Sequence, residues 1–112
     1  MVKIFEQGDI VYLNFNPQAG HEQMGRRPAV VVSNNIFNRF SKILMVCPIT
    51  NTNKKHPFHI ELDKRTDTTG VVLCDQAKML DLGARNAEFS EKLPDDLLAE
   101  VVDIIKSFIE IM

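Results

Sequence analysis

The placement of apolar residues constrains this chain more than any other feature. Up to about residue 80, short runs rich in β-branched and aromatic side chains follow one another between turn signals: IVYLNF at 10–15, AVVVS at 29–33, KILMVCPI at 42–49, FHIEL at 58–62 and VVLC at 71–74. Such runs favour strands. Several are apolar at successive positions, which predicts burial on both faces, as in a small barrel rather than a one-sided sheet. Pro48 falls inside the third run and predicts a bulge or an end to regular pairing. The fourth run alternates, with Phe58, Ile60 and Leu62 on one side. After Val71–Cys74, pairing is able to continue through residues 77–80.

The period then changes. Leu97, Leu98, Val101, Ile104, Ile105, Phe108 and Ile109 recur at helical spacing. Pro94 suits a first helical turn, and Asp95 and Asp96 suit the positive end of the helix dipole. A helix over about 94–111 is predicted, within roughly 2–4 residues at each end. Its wide stripe covers one end of a barrel and leaves apolar surface for a partner. Shorter helical turns are expected at Asn34–Phe40, capped by Asn34 or Asn35, and near Asp81–Arg85. In the first of these, helical spacing predicts that at least one of Phe37 and Phe40 is buried, although bases could stack on aromatics beside Arg39.

At 112 residues the chain is read as a single domain spanning 1–112, large enough to fold without a disulfide or metal staple. Cys47 and Cys74 lie in apolar strands and read as reduced core thiols. There is no uncharged apolar run near the roughly 20 residues that span a bilayer, and the first residues lack the pattern of a secretory signal, so a cytoplasmic protein is expected.

A net charge of −2 argues at first sight against a nucleic-acid partner. The average hides a division. Residues 1–59 carry 7 basic and 3 acidic side chains, and residues 60–112 carry 6 basic and 12 acidic, so the halves stand at +4 and −6. Arg26, Arg27, Arg39, Lys42, Lys54 and Lys55 face only Glu22 within 20–59, where all three histidines also lie. That is either ordinary solvated surface or a phosphate-binding face.

The segment from Asn16 to Pro28 is a loop of 13 residues with two prolines and two glycines; long loops in small domains are usually functional or disordered. It holds His21, Glu22, Gln23, Arg26 and Arg27. Cleaving RNA without a metal needs a base for the ribose 2′-OH, donors for the charged phosphorane and an acid for the leaving 5′-oxygen. Glu22 or His21 is a candidate base, Arg27 a candidate phosphate fork, Thr50 a hydroxyl donor at a strand end, and Asp75 a base or an orienting group. Each has a plainer alternative: Glu22 as a surface partner of Arg26 or Arg27, Thr50 in a turn with Asn51, Asp75 as a strand-end cap or pair. Lys54 and Lys55 either track an RNA backbone or form a surface turn. His56-x-x-His59 lacks a third metal ligand at suitable spacing.

The residues Gly8-Asp9-Ile10, Pro17, Gly20-His21-Glu22-Gln23, Gly25, Arg27-Pro28, Asn38, Pro48-Ile49-Thr50, Gly70-Val71-Val72 and Asp75-Gln76, in that order and spacing, resemble the MazF/PemK/Kid family of bacterial toxins from type II toxin–antitoxin systems. The resemblance runs through Leu82–Arg85 into the C-terminal helix. It implies a mainly β fold with α, a small SH3-like β-barrel of CcdB/PemK-like type plus a C-terminal helix, forming a homodimer with a groove at the interface. It implies an endoribonuclease cutting single-stranded RNA at short sequences, independently of metal and cofactor, and leaving 2′,3′-cyclic phosphate and 5′-OH ends. By position it matches Arg27 and Thr50 to the residues that carry catalysis in MazF-like members, Glu22 to an essential or supporting acid, and His21 and Asp75 to residues with catalytic or phosphate-stabilising roles in Kid-like members. Gln23, Arg26, Asn38, Arg39, Lys54, Lys55 and Gln76 are read as candidate substrate contacts. One departure stands out: Kid-like members carry an Arg two residues before the Asp, and this chain has Leu73 there, so their Arg–Asp acid/base assignment does not carry over. The resemblance also implies an antitoxin with an acidic, partly disordered tail. The competing expectation is a CcdB-like poison that binds DNA gyrase without catalysis, and a blander one is a non-catalytic RNA-binding barrel.

Overall fold

The computed structural model describes residues 4–15, 25–53 and 55–112. Seven strands form one antiparallel system: β1 (Asp9–Asn14), β2 (Arg26–Val31), β3 (Ile43–Thr50), β4 (His59–Glu61), β5 (Val71–Leu73), β6 (Lys78–Asp81) and β7 (Glu88–Lys92), with α1 (Asn35–Phe40) between β2 and β3 and α2 (Asp95–Phe108) at the C-terminus. The hydrogen-bonded path runs β4-β5-β3-β2-β1-β7, and β6 also pairs with β3. The expected mainly β architecture with a C-terminal helix is present. The sheet does not close on itself, so the barrel is incomplete.

β3 is the hub because both its faces are apolar. Leu44 and Val46 join Val11, Leu13, Ala29, Val31 and Leu80 in one core. Cys47 and Ile49 join Ile10, Val30, Val72 and Cys74 in the other, on which Leu97 and Val101 of α2 pack. Alternate residues of the same strand thus feed opposite cores, the arrangement that uninterrupted apolar runs require. Full burial of each such aliphatic side chain contributes about 1.5–3 kcal/mol. On one edge β3 meets β2, with Ala29 opposite Pro48. On the other it meets β6 through Ile43–Val46 and β5 through Ile49 and Thr50. Pairing on that edge breaks beside Cys47 and Pro48, where a 3₁₀ turn at Cys74–Gln76 joins β5 to β6. Residues 78–81 therefore return to β3 as a separate strand instead of prolonging β5.

Local chemistry sets α1. The Asn34 side chain accepts from the Phe37 N–H at 2.9 Å, the N-cap interaction expected there. This phase turns Asn38 inward, where its Nδ2 donates to the Ser33 carbonyl at 3.0 Å and the Phe5 carbonyl at 3.3 Å while its Oδ1 accepts from the Ser33 hydroxyl at 2.6 Å. Phe37 and Phe40 are left 43% and 87% exposed, so the expected burial of one of them is corrected: the capped register gives the inward position to asparagine. The expected turn at Asp81–Arg85 closes β6: the Arg85 N–H donates to the Asp81 carbonyl four residues back at 3.2 Å, and the Ala84 N–H donates to Asp81 Oδ1 at 3.1 Å. β7 was not anticipated. It reads EFSEK, lacks an apolar run, and pairs with β1 across a register shift at Ile10/Val11.

Candidate active site

Arg27 lies at the start of β2, opposite Leu13 of β1, with an exposed side chain. The β2–β3 pairing ends at Ala29 and Pro48, two residues from Arg27 on β2 and two from Thr50 on β3. Thr50 ends β3 and pairs with Val71 of β5, which pairs in turn with Glu61 of β4. Directly opposed residues share a face, so the sheet lines up Thr50, Val71 and Glu61 across three strands. Thr50 is 8% exposed. Its Oγ1 accepts from the Thr52 N–H at 3.3 Å, which leaves the hydroxyl proton available to a phosphate oxygen.

Gly70 makes that strand end possible. It adopts φ +115°, and a Cβ there would fall 2.7 Å from the carbonyl carbon of Thr50. Only glycine accepts both that backbone conformation and that approach.

Asp75 sits in the 3₁₀ turn, and its Oδ1 lies 3.3 Å from Nε2 of His59. His59 is the cross-strand partner of Leu73. The sequence marks His59 only as half of the His56-x-x-His59 pair, because it meets Asp75 only once β4 pairs with β5. His59 Nδ1 is buried and finds no hydrogen-bond partner among the described residues. His56 stacks on His59, with ring centroids 4.8 Å apart, and its Nδ1 accepts from the Phe58 N–H at 3.1 Å. The fold therefore supplies the third group that the His56-x-x-His59 spacing lacked: one ligand atom from each of His56, His59 and Asp75 lies within 4.8 Å of the others. The donor set still suits a metal poorly. The lone pair of His56 Nδ1 is already engaged, and a metal on His59 Nε2 would push the ring proton to a buried Nδ1 without the acceptor that metal-binding histidines normally have.

The remaining candidates scatter. Arg26 pairs with Glu88 at 2.7 Å. Lys55 pairs with Glu61 at 2.8 Å, and the bonds from Lys55 and Asn53 hold the Glu61 carboxyl below the usual range. Gln76 follows Asp75 in the 3₁₀ turn, and its Oε1 is buried without a hydrogen-bond partner among the described residues. Asn38 is spent on the α1 junction. Arg39, with Phe40, Asp81 and Asn86, lines an open depression of about 930 Å³ that contains none of Arg27, Thr50 or Asp75. His21, Glu22, Gln23 and Lys54 lie outside the described residues.

Comparison with known proteins gives a consistent result. A model of the PemK-like, MazF-like toxins of type II toxin–antitoxin systems matches residues 6–109. The endoribonuclease PemK of Escherichia coli is 38% identical over 101 residues, covering 87% of this chain and 76% of PemK. The endoribonuclease toxin ChpB of Escherichia coli K12 is 39% identical over 111 residues, covering 95% of both. The crystal structure of MazF from Deinococcus radiodurans superposes with a TM-score of 0.89 at 41% identity, covering 96% of this chain and 97% of that one. A MazE–MazF crystal structure from the same organism superposes at 0.83 with 41% identity and 96% coverage of both.

Proposed function

This chain belongs to the PemK-like, MazF-like toxin family of type II toxin–antitoxin systems, and we propose that it is an endoribonuclease toxin that cleaves single-stranded messenger RNA at short specific sequences in the cytoplasm and so arrests growth. The observation that carries this reading is the placement of Arg27 at the start of β2 and Thr50 at the end of β3, two neighbouring strands, with Arg27 following in sequence the segment that holds His21 and Glu22. A guanidinium fork beside a hydroxyl donor suits a phosphorane, whose negative charge grows as the 2′-oxygen attacks.

The chemistry balances without a metal. A base takes the 2′-OH proton as the 2′-oxygen bonds to phosphorus. The candidates are Glu22 or His21 on the loop and Asp75 beside β5. Arg27 and Thr50 hold the non-bridging oxygens. An acid, for which Arg27 is the first choice, returns a proton to the departing 5′-oxygen. The products are a 2′,3′-cyclic phosphate and a 5′-hydroxyl. Arg26 and Lys55 stand near enough in sequence to contact flanking phosphates, although each first has to leave its carboxylate partner.

The relatives named above are endoribonucleases, which favours cleavage over gyrase poisoning. Solved MazE–MazF complexes support a cognate antitoxin whose acidic tail occupies the basic groove and excludes RNA. A homodimer completes the groove, and the exposed Ile36 and Phe40 are apolar area that a second copy or the antitoxin would cover.

Primer-extension mapping of a long RNA incubated with the protein in EDTA tests this reading. Discrete stops that vanish with Arg27→Ala or Thr50→Ala are expected. Intact RNA in the presence of folded protein rejects it, as does cleavage that persists when the scissile 2′-OH is replaced by hydrogen.

A further inference from the structure

We infer that His59 is the positioning residue for Asp75, holding its carboxylate as an oriented base toward the RNA. The inference rests on the ribonuclease reading and adds to it a residue on a different strand from every other candidate.

Three observations carry it. First, His59 Nε2 stands 3.3 Å from Asp75 Oδ1, with the imidazole mostly buried and the carboxylate 38% exposed. Second, His59 Nδ1 is buried and without a partner among the described residues. Protonating it would place an N–H where nothing accepts it, a costly state. The ring therefore acts on Asp75 through Nε2, the nitrogen that faces Oδ1 at 3.3 Å, and the two ring nitrogens play different parts. Third, position 73 bears only an alkyl chain, and the residue across the ladder from it is His59. β5 supplies no donor of its own at that level, so β4 supplies one.

The consequence for Asp75 is geometric. With Oδ1 facing His59 Nε2 at 3.3 Å, Oδ2 carries no hydrogen bond among the described residues and is the oxygen presented to substrate. It is the atom that accepts the 2′-OH proton, which passes later to solvent. His59 itself gives up no proton in this scheme. The packing around it is consistent with a fixed ring: His56 stacks on it, His56 also touches Phe58 at 5.1 Å, and Phe58 meets Phe108 of α2 edge-on at 4.9 Å.

The test compares the parent protein, His59→Leu, His59→Gln, Asp75→Asn and the His59→Leu/Asp75→Asn pair on one short RNA carrying the mapped cleavage sequence, with thermal melts as a folding control. His59→Leu is expected to lower kcat at least about tenfold with KM within about twofold, the scale set by small misplacements of a catalytic group. His59→Gln, whose amide N–H reaches the same carboxylate, is expected to recover most of that loss. The double variant is expected to be no slower than Asp75→Asn alone, because a positioning residue has nothing left to position. Nitrogen-15 NMR of the parent should show His59 as the Nε2–H tautomer whether or not the protein cleaves RNA. An inert parent would overturn the ribonuclease reading. An active parent matched by His59→Leu, independent losses in the double variant, or an Nδ1–H tautomer would overturn this inference alone.

Discussion

Gly70 and Thr50 are in backbone contact: a Cβ on Gly70 would fall 2.7 Å from the Thr50 carbonyl carbon, at a glycine φ of +115°. The residue that ends β3, Thr50, is thus held by a neighbour that has no side chain. Gly70→Ala adds both a steric collision with backbone and a disfavoured φ, each worth about 1–3 kcal/mol. We expect a fall in Tm of roughly 10 °C or more, with cleavage lost more steeply than stability because Thr50 moves. Melting curves and RNA digestion on the same preparation check this.

Asn38 separates structure from catalysis. Its side chain bonds Ser33 and Phe5 within the fold, and it is 6% exposed. Asn38→Ala strands buried donors and acceptors, which costs about 1–3 kcal/mol. The KM for RNA should stay within about twofold of the parent when measured well below Tm, the expectation for a residue remote from bound substrate. A raised KM with unchanged Tm would return Asn38 to the substrate contacts.

The contrast between Asn38 and its neighbours shows what is legible in such a sequence. Strand positions follow from uninterrupted apolar runs, and the cap at Asn34 from residue chemistry alone. The face of α1 that turns inward does not, because a buried asparagine with three partners outcompetes two phenylalanines that any periodicity count favours. β7 hid for the opposite reason: its stability comes from pairing with β1, not from its own apolar content. In the candidate site, Arg27, Thr50 and Asp75 stand out locally by type and placement. His59 does not, since its contact with Asp75 exists only through the β4–β5 ladder.

Acid sensitivity should centre on Glu91. Burial disfavours its ionised form, but bonds from Thr68 N–H and Oγ1, both at 2.7 Å, and from Asp67 N–H at 3.1 Å outweigh that and hold its pKa below the ordinary 4.5. A folded-state pKa below the unfolded value adds stability that is present above the unfolded pKa and is lost as pH falls through the folded one. Between about pH 5 and pH 3, Tm should drop, and Glu91→Gln should flatten that slope while lowering Tm at neutral pH. A slope identical in both proteins would count against Glu91.

The two cysteines should be silent in the native state. Burial pushes the Cys74 thiol up to about 12, and burial together with Cys74 and Asp75 pushes Cys47 higher still. The thiolate is the reactive form, so at pH 8 a disulfide-exchange reagent should label both only as fast as the protein opens. Rapid labelling of either before denaturant is added would contradict the burial.

Arg27→Lys is the sharpest test of the proposed site, because it keeps the charge and removes the fork. Arg27 is exposed at the start of β2, so the change should leave Tm within a few degrees, as exposed substitutions usually do. A lysine presents one compact ammonium where the arginine presents parallel donors to two phosphate oxygens. If Arg27 merely attracts the RNA backbone, lysine substitutes nearly fully, and the salt dependence of KM is unchanged. If it stabilises the phosphorane together with Thr50, kcat falls by about 10²-fold or more while KM barely moves, the signature of an interaction made only in the transition state. Single-turnover cleavage of one short RNA at two salt concentrations distinguishes these outcomes, and we expect the second.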